Sequence, residues 1–104
     1  MTNLEMVAAE LEAAKKKHPK FVDRFSVFIP KFYDDNLSER RRKNALYEPT
    51  GQLEMPDILQ EEMWEAMSAY SHGDLAHARQ ELAQCAAVCV RAMEYIEKEM
   101  EETK

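Results

Sequence analysis

The sequence predicts an all-α domain, a bundle of four to five helices. Glycine and proline are scarce, at two and four residues in 104, so few positions break a helix. Apolar residues recur at three- and four-residue spacing along most of the chain. With 45% hydrophobic and 33% charged residues, the composition is that of a folded protein rather than a disordered one. The length predicts a single domain over 1–104, with a modest core.

The first helix is expected over 2–17. Thr2 and Glu5 form a capping box, and Leu4, Val7, Ala8, Leu11 and Ala14 make an apolar stripe. Lys15, Lys16 and Lys17 suit the negative end of the helix dipole, and His18-Pro19 stops the helix. In 19–36 the spacing of Phe21, Phe25 and Phe28 suggests a short helix ended by Pro30. Residues 37–47 read as another, capped by Asn36 or Ser38. The stretch 48–56 is a loop. A helix over about 57–71 follows, with Asp57 as cap or first-turn acid. His72-Gly73-Asp74 turns the chain, and Asp74 caps a last helix over about 74–99, beyond which the polar tail frays. That helix carries Leu75, Ala78, Leu82, Ala86, Cys89, Met93 and Ile96 on one side.

Charge excludes some functions. A net charge of −6 argues against a general grip on nucleic acid. No apolar run reaches the roughly 20 residues of a membrane span. The N-terminal charges follow the apolar part, the reverse of a signal peptide, so the chain reads as cytoplasmic. Cys85 and Cys89, four apart, read as two small buried hydrophobes rather than a zinc site, and they fit a reducing compartment.

The chemistry concentrates in 58–88. At 100° per residue, Glu62 and Glu65 lie about 60° apart on their helix, inside its apolar stripe, with Glu61 at the edge. Glu81 and Gln84 bear the same relation on the last helix, beside Cys85, Val88 and Ala92. A short turn makes the two helices antiparallel neighbours, so the acid pairs can face each other. Carboxylates on a buried face are costly unless paired, protonated or bound to a hard divalent cation such as Mg²⁺ or Mn²⁺. Ion pairing with Arg79, Arg91 or the basic run 40–43, or simple edge exposure, would also account for them. The basic run is either a solvated face or a phosphate contact.

"EEMWE" (Glu61–Glu65), followed by "ELAQ" (Glu81–Gln84) after a "GD" turn, resembles the EExxE…ExxD signature of the MazG-like all-α nucleoside triphosphate pyrophosphohydrolases. The likeness covers about 53–97. The continuation "AQCAAVCVRAMEYI" resembles the small-residue helix of compact, phage-type members. The resemblance implies a MazG-like bundle and hydrolysis of a (d)NTP to the monophosphate and pyrophosphate with Mg²⁺. It implies Glu62, Glu65 and Glu81 as metal ligands and Glu61 as a further catalytic acid that binds metal or orients water. The final Asp of the signature is Gln84 here, a neutral and weaker ligand at the fourth metal position. Arg40, Arg41, Lys43, Arg91 and Tyr95 are the candidates for substrate binding, and Tyr47 and Tyr70 could also stack on a base. A non-catalytic helical module, binding a nucleotide or a protein partner, is the alternative, and a structural helical dimer with solvated acids is a third reading. Met63, Trp64 and Met67 form a second apolar side, to be covered by the first helix or by a second copy. A homodimer or homotetramer is therefore expected.

Overall fold

The computed structural model describes residues 1–20, 25 and 28–104. The short helix expected from Phe21 to Phe28 rests largely on residues outside these. The described residues form four α-helices, α1 (Asn3–Lys17), α2 (Pro30–Tyr47), α3 (Met55–Ser71) and α4 (Leu75–Glu102), with one 3₁₀ turn at Glu48–Thr50. There is no strand among the described residues. Among the described residues no helix is long and apolar enough to cross a membrane.

The chain forms two compact units, Met1–Phe25 with Val90–Lys104, and Ser26–Cys89. In the first, Thr2 caps α1: its Oγ1 accepts from the Glu5 backbone N–H (3.1 Å), and the Glu5 carboxylate accepts from the Thr2 N–H (2.9 Å). Asn3 donates through Nδ2 to Glu97 of α4. Leu4, Val7, Leu11, Ile96 and Met100 are exposed, so the expected stripe of α1 exists without being buried. α4 runs to Glu102, past the end expected at about 99.

In the second unit, α2 begins earlier than expected. Pro30 opens it: at the first helical position its missing N–H costs nothing and its fixed φ suits the helix. Asn36, expected as a cap, is inside the helix and donates to the Phe32 carbonyl (2.8 Å). α3 starts at Met55, and Asp57 is its first-turn acid, accepting from the Glu54 N–H at 3.0 Å. Gly73, at φ 83°, makes the turn out of α3 in a conformation that a side chain disfavours. Asp74 then accepts from the His77 N–H (3.2 Å) at the start of α4.

Contacts from α2 to α3 run in opposite chain directions: Asp34 meets Ser68 and His72, Arg41 meets Glu65, and Asn44 meets Glu61. The pair is therefore antiparallel. Trp64 packs edge-on to Phe32 (centroids 6.1 Å) and tilted on Tyr33 (6.3 Å). Cover for Trp64 within its own unit thus comes from α2. Among the described residues the buried apolar ones are Tyr33, Leu37, Ala66, Ala69 and Ala78. Three of the five are alanines, on α3 and α4, whose single methyl group needs little room. Leu75 and Leu82, on the expected apolar side of α4, are exposed, whereas Glu81 is buried.

Candidate metal centre

Glu62 and Glu65 lie one helical turn apart on α3, and Glu81 lies on α4. One carboxylate oxygen from each falls within 4.8 Å of the others. Glu62 and Glu65 are half-buried, and Glu81 is only 5% exposed. Three acids so close cannot all ionise without a large penalty. Burial, then the neighbouring Glu62 and Glu65, pushes the Glu81 carboxyl from the ordinary 4.5 up to about 8. Burial also raises Glu65, but the proton held by Glu81 and the guanidinium of Arg41 outweigh it and leave Glu65 below the usual range. The trio thus holds a proton at neutral pH, shared between facing helices.

The partners are few. His77, one turn before Glu81, places Nε2 3.2 Å from Glu81 Oε1. Arg41 donates to Glu65 from α2. Gln84 is best placed with its amide nitrogen toward the acids, where it donates to Glu62 Oε2 (2.6 Å) and Glu81 Oε2 (3.1 Å). Carboxylates only accept, so a neutral amide here supplies donors to the cluster. Its carbonyl faces the cluster only if the amide rotates. The same surroundings, burial first and then the charge of Glu62, push the Cys85 thiol up. Cys85 is half-buried, and Cys89 is exposed rather than buried as expected; both are free thiols.

Glu61 points elsewhere. It is half-buried, and Asn44 of α2 donates to its Oε1 (2.9 Å) and to the Asp57 carbonyl (3.0 Å). Asn44 is 7% exposed, and its own Oδ1 is buried without a partner. The basic run splits by direction. Arg40 is spent on Asp57 (3.0 Å) and Gln60 (2.8 Å), with both members of the ion pair mostly buried. Lys43 lies near Glu39 of its own helix at 3.9 Å. Arg41 alone of the three reaches the acid cluster. Arg91 and Tyr95 are exposed and belong to the other unit. Tyr47 lines a polar cavity with Gly51, Gln52, Glu54 and Asp57.

Sequence reasoning passed over Asn44, His77 and the Asp34–Ser68–His72 set. His77 was legible, because i,i+4 spacing from Glu81 puts it on the same face. Asn44 gave no signal inside "RRRKNA". A hard, all-oxygen donor set with one buried carboxyl held protonated fits a divalent cation of the Mg²⁺ or Mn²⁺ kind, which would replace that proton. No family model, curated protein or solved structure matches this chain.

Proposed function

We propose that the chain is a Mg²⁺-dependent, MazG-like nucleoside triphosphate pyrophosphohydrolase that converts a (d)NTP and water to the monophosphate and pyrophosphate. The observation that carries this reading is the carboxylate excess at Glu62, Glu65 and Glu81, where burial leaves Glu81 protonated. A fold maintained for stability alone has no use for such a cluster, since apolar residues of similar size serve as well or better. The pairings Glu62 with Gln84 and Glu65 with Glu81 suit antiparallel α3 and α4, as in a MazG-like bundle.

In this reading Glu62, Glu65 and Glu81 hold Mg²⁺ or Mn²⁺. When bound, the ion supplies neutralisation of phosphate charge and acidifies a water. Glu81 must first lose its proton to solvent, and His77 Nε2 stands 3.2 Å from its Oε1. Glu61 is oriented by Asn44 through Oε1, which leaves Oε2 to align the attacking water and accept its proton. Gln84 keeps Glu62 in position by donating to it, or turns its carbonyl toward the cation. Exposed Leu75, Leu82 and Met63 support a homodimer or homotetramer, and the free thiols support a cytoplasmic setting, the host's if the chain is phage-encoded.

A second reading has one observation in its favour. Gln84 already satisfies Glu62 and Glu81 without an ion, as a non-catalytic module that binds a nucleotide or a protein partner would require. The test is pyrophosphate release from a panel of NTPs and dNTPs, with and without Mg²⁺. The hydrolase reading expects Mg²⁺-dependent release that Glu62→Gln and Glu81→Gln each lower by at least about a hundredfold. Mg²⁺ binding without release from any nucleotide would favour the module, and release indifferent to both substitutions would contradict the assigned site.

A further inference from the structure

Beside the acid cluster lies a cavity of about 300 Å³, lined by Leu37, Arg41, Glu65, Ser68, His72 and His77 among others. That is the lower end of the size range of small-molecule sites. It shares Glu65 with the cluster, and Arg41 and two histidines face it. As found, each of these three side chains lies against a carboxylate. Arg41 is on Glu65, His72 Nε2 is 2.9 Å from Asp34, and His77 is near both Asp74 and Glu81. The cavity therefore has no surplus positive charge with which to draw an anion.

A cation on the cluster changes that balance. Glu65 is the one residue common to the cluster and to the Arg41 ion pair. A divalent ion draws on the same negative charge, so a carboxylate that ligates it holds the guanidinium less strongly. The Arg41 side chain is 53% exposed, so little packing holds it in place once Glu65 is withdrawn. A guanidinium released there presents planar paired donors to the cavity, the geometry that matches phosphate oxygens.

We infer that Arg41 is a phosphate ligand released by metal: a divalent ion takes Glu65, and Arg41 turns into the adjoining cavity to bind a phosphate group of the substrate, flanked by His72 and His77. This rests on the cation-binding reading above. It gives Arg41 two opposed effects. Without substrate it competes with the metal for Glu65; with substrate it binds the phosphate that the metal has admitted. The coupling is reciprocal, so phosphate must also tighten the metal.

The test uses Mg²⁺ and inorganic phosphate as probes, on the full chain. Calorimetric titration with Mg²⁺ should show Arg41→Gln binding the ion roughly two- to fivefold tighter than wild type, the range expected for a half-exposed ion pair. Thermal melts should show phosphate stabilising wild type only when Mg²⁺ is present, with the increment lost in Arg41→Gln and partly restored in Arg41→Lys. Arg41→Gln with unchanged or weaker Mg²⁺ affinity overturns the inference, as does a phosphate increment equal with and without Mg²⁺. Failure of the underlying reading looks different. There, neither wild type nor Arg41→Gln binds Mg²⁺, and the inference falls with it. If wild type binds Mg²⁺, Glu62→Gln abolishes binding and Arg41→Gln changes nothing, the cation site stands and the release of Arg41 is refuted.

Discussion

Arg40 and Arg41 are neighbours on α2, both reach α3, and both meet a carboxylate there, yet their surroundings are opposite. Arg40 bridges Asp57 and Gln60 in a balanced set, one cation to one anion with an amide to take the spare donor. Arg41 meets Glu65, behind which stand Glu62 and Glu81, so one cation faces three acids. The first arrangement ties two helices together. The second leaves negative charge that the fold manages by protonating Glu81 and by donors from Gln84. Satisfied polar contacts mark architecture, and an unpaid surplus of buried charge marks a place kept for something else.

The largest effect should come from removing the surplus. Glu81→Gln should stabilise the metal-free protein at pH 8 by an amount on the order of a few kcal/mol, since the folded chain no longer suppresses an ionisation that the unfolded chain makes freely. Chemical denaturation at pH 8 measures this, and a loss of stability would contradict the assignment of the strain to Glu81. The same substitution should abolish any rise in Tm with Mg²⁺.

The pH profile follows with its sign fixed. Glu81 has a folded pKa of about 8 against 4.5. Its favourable contribution is complete below pH 4.5 and is lost as pH climbs to 8, so metal-free wild type should weaken across that window. Glu65 is lowered below 4.5, so its contribution is lost only as pH falls below that value, outside the same window. Denaturation midpoints from pH 5 to 8.5 should decline in wild type and stay nearly level in Glu81→Gln. Parallel slopes would refute the raised Glu81.

Asp57→Ala probes the balanced side. It strands a mostly buried Arg40 and removes the acceptor for the Glu54 N–H, and should cost about 1–3 kcal/mol without altering the Mg²⁺ response. Gln84→Asp sharpens the contrast from the other direction. It adds a fourth acid and deletes two donated bonds, so the metal-free Tm should fall while Mg²⁺ affinity rises several-fold. Weaker metal binding would remove Gln84 from the ligand positions. The smallest effect belongs to Arg42→Ala, whose exposed pairing with Glu39 within one helix should leave both Tm and metal response unchanged.

Much of this contrast was legible in the sequence, for a physical reason. Helical periodicity puts Glu62, Glu65, Glu81 and Gln84 inside apolar stripes, and a three-residue turn brings the stripes together, so the cluster could be assembled on paper. Thr2, Asp74 and Gly73 likewise announce their roles through local backbone chemistry. What periodicity does not encode is direction in a run of like residues. Nothing in "RRRKNA" distinguishes Arg40, committed to Asp57, from Arg41, committed to Glu65, because the choice depends on how α2 lies against α3. The start of α2 at Pro30 is not legible, since proline at a helix start and proline after a helix end look alike without a neighbouring cap. The stripe of Leu75 and Leu82 was read correctly as apolar, but periodicity says only that residues share a face, not that this chain buries it.

The most direct test of the central claim, that the acid trio exchanges a proton for a divalent cation, is calorimetric titration with Mg²⁺ at pH 7 in buffers of differing ionisation enthalpy. With Glu81 titrating near 8, binding should release close to one proton per ion in wild type, about 0.9 by simple titration, and Glu81→Gln should neither bind the ion comparably nor release the proton. Mg²⁺ binding with no proton release, or equal binding by Glu81→Gln, would contradict it.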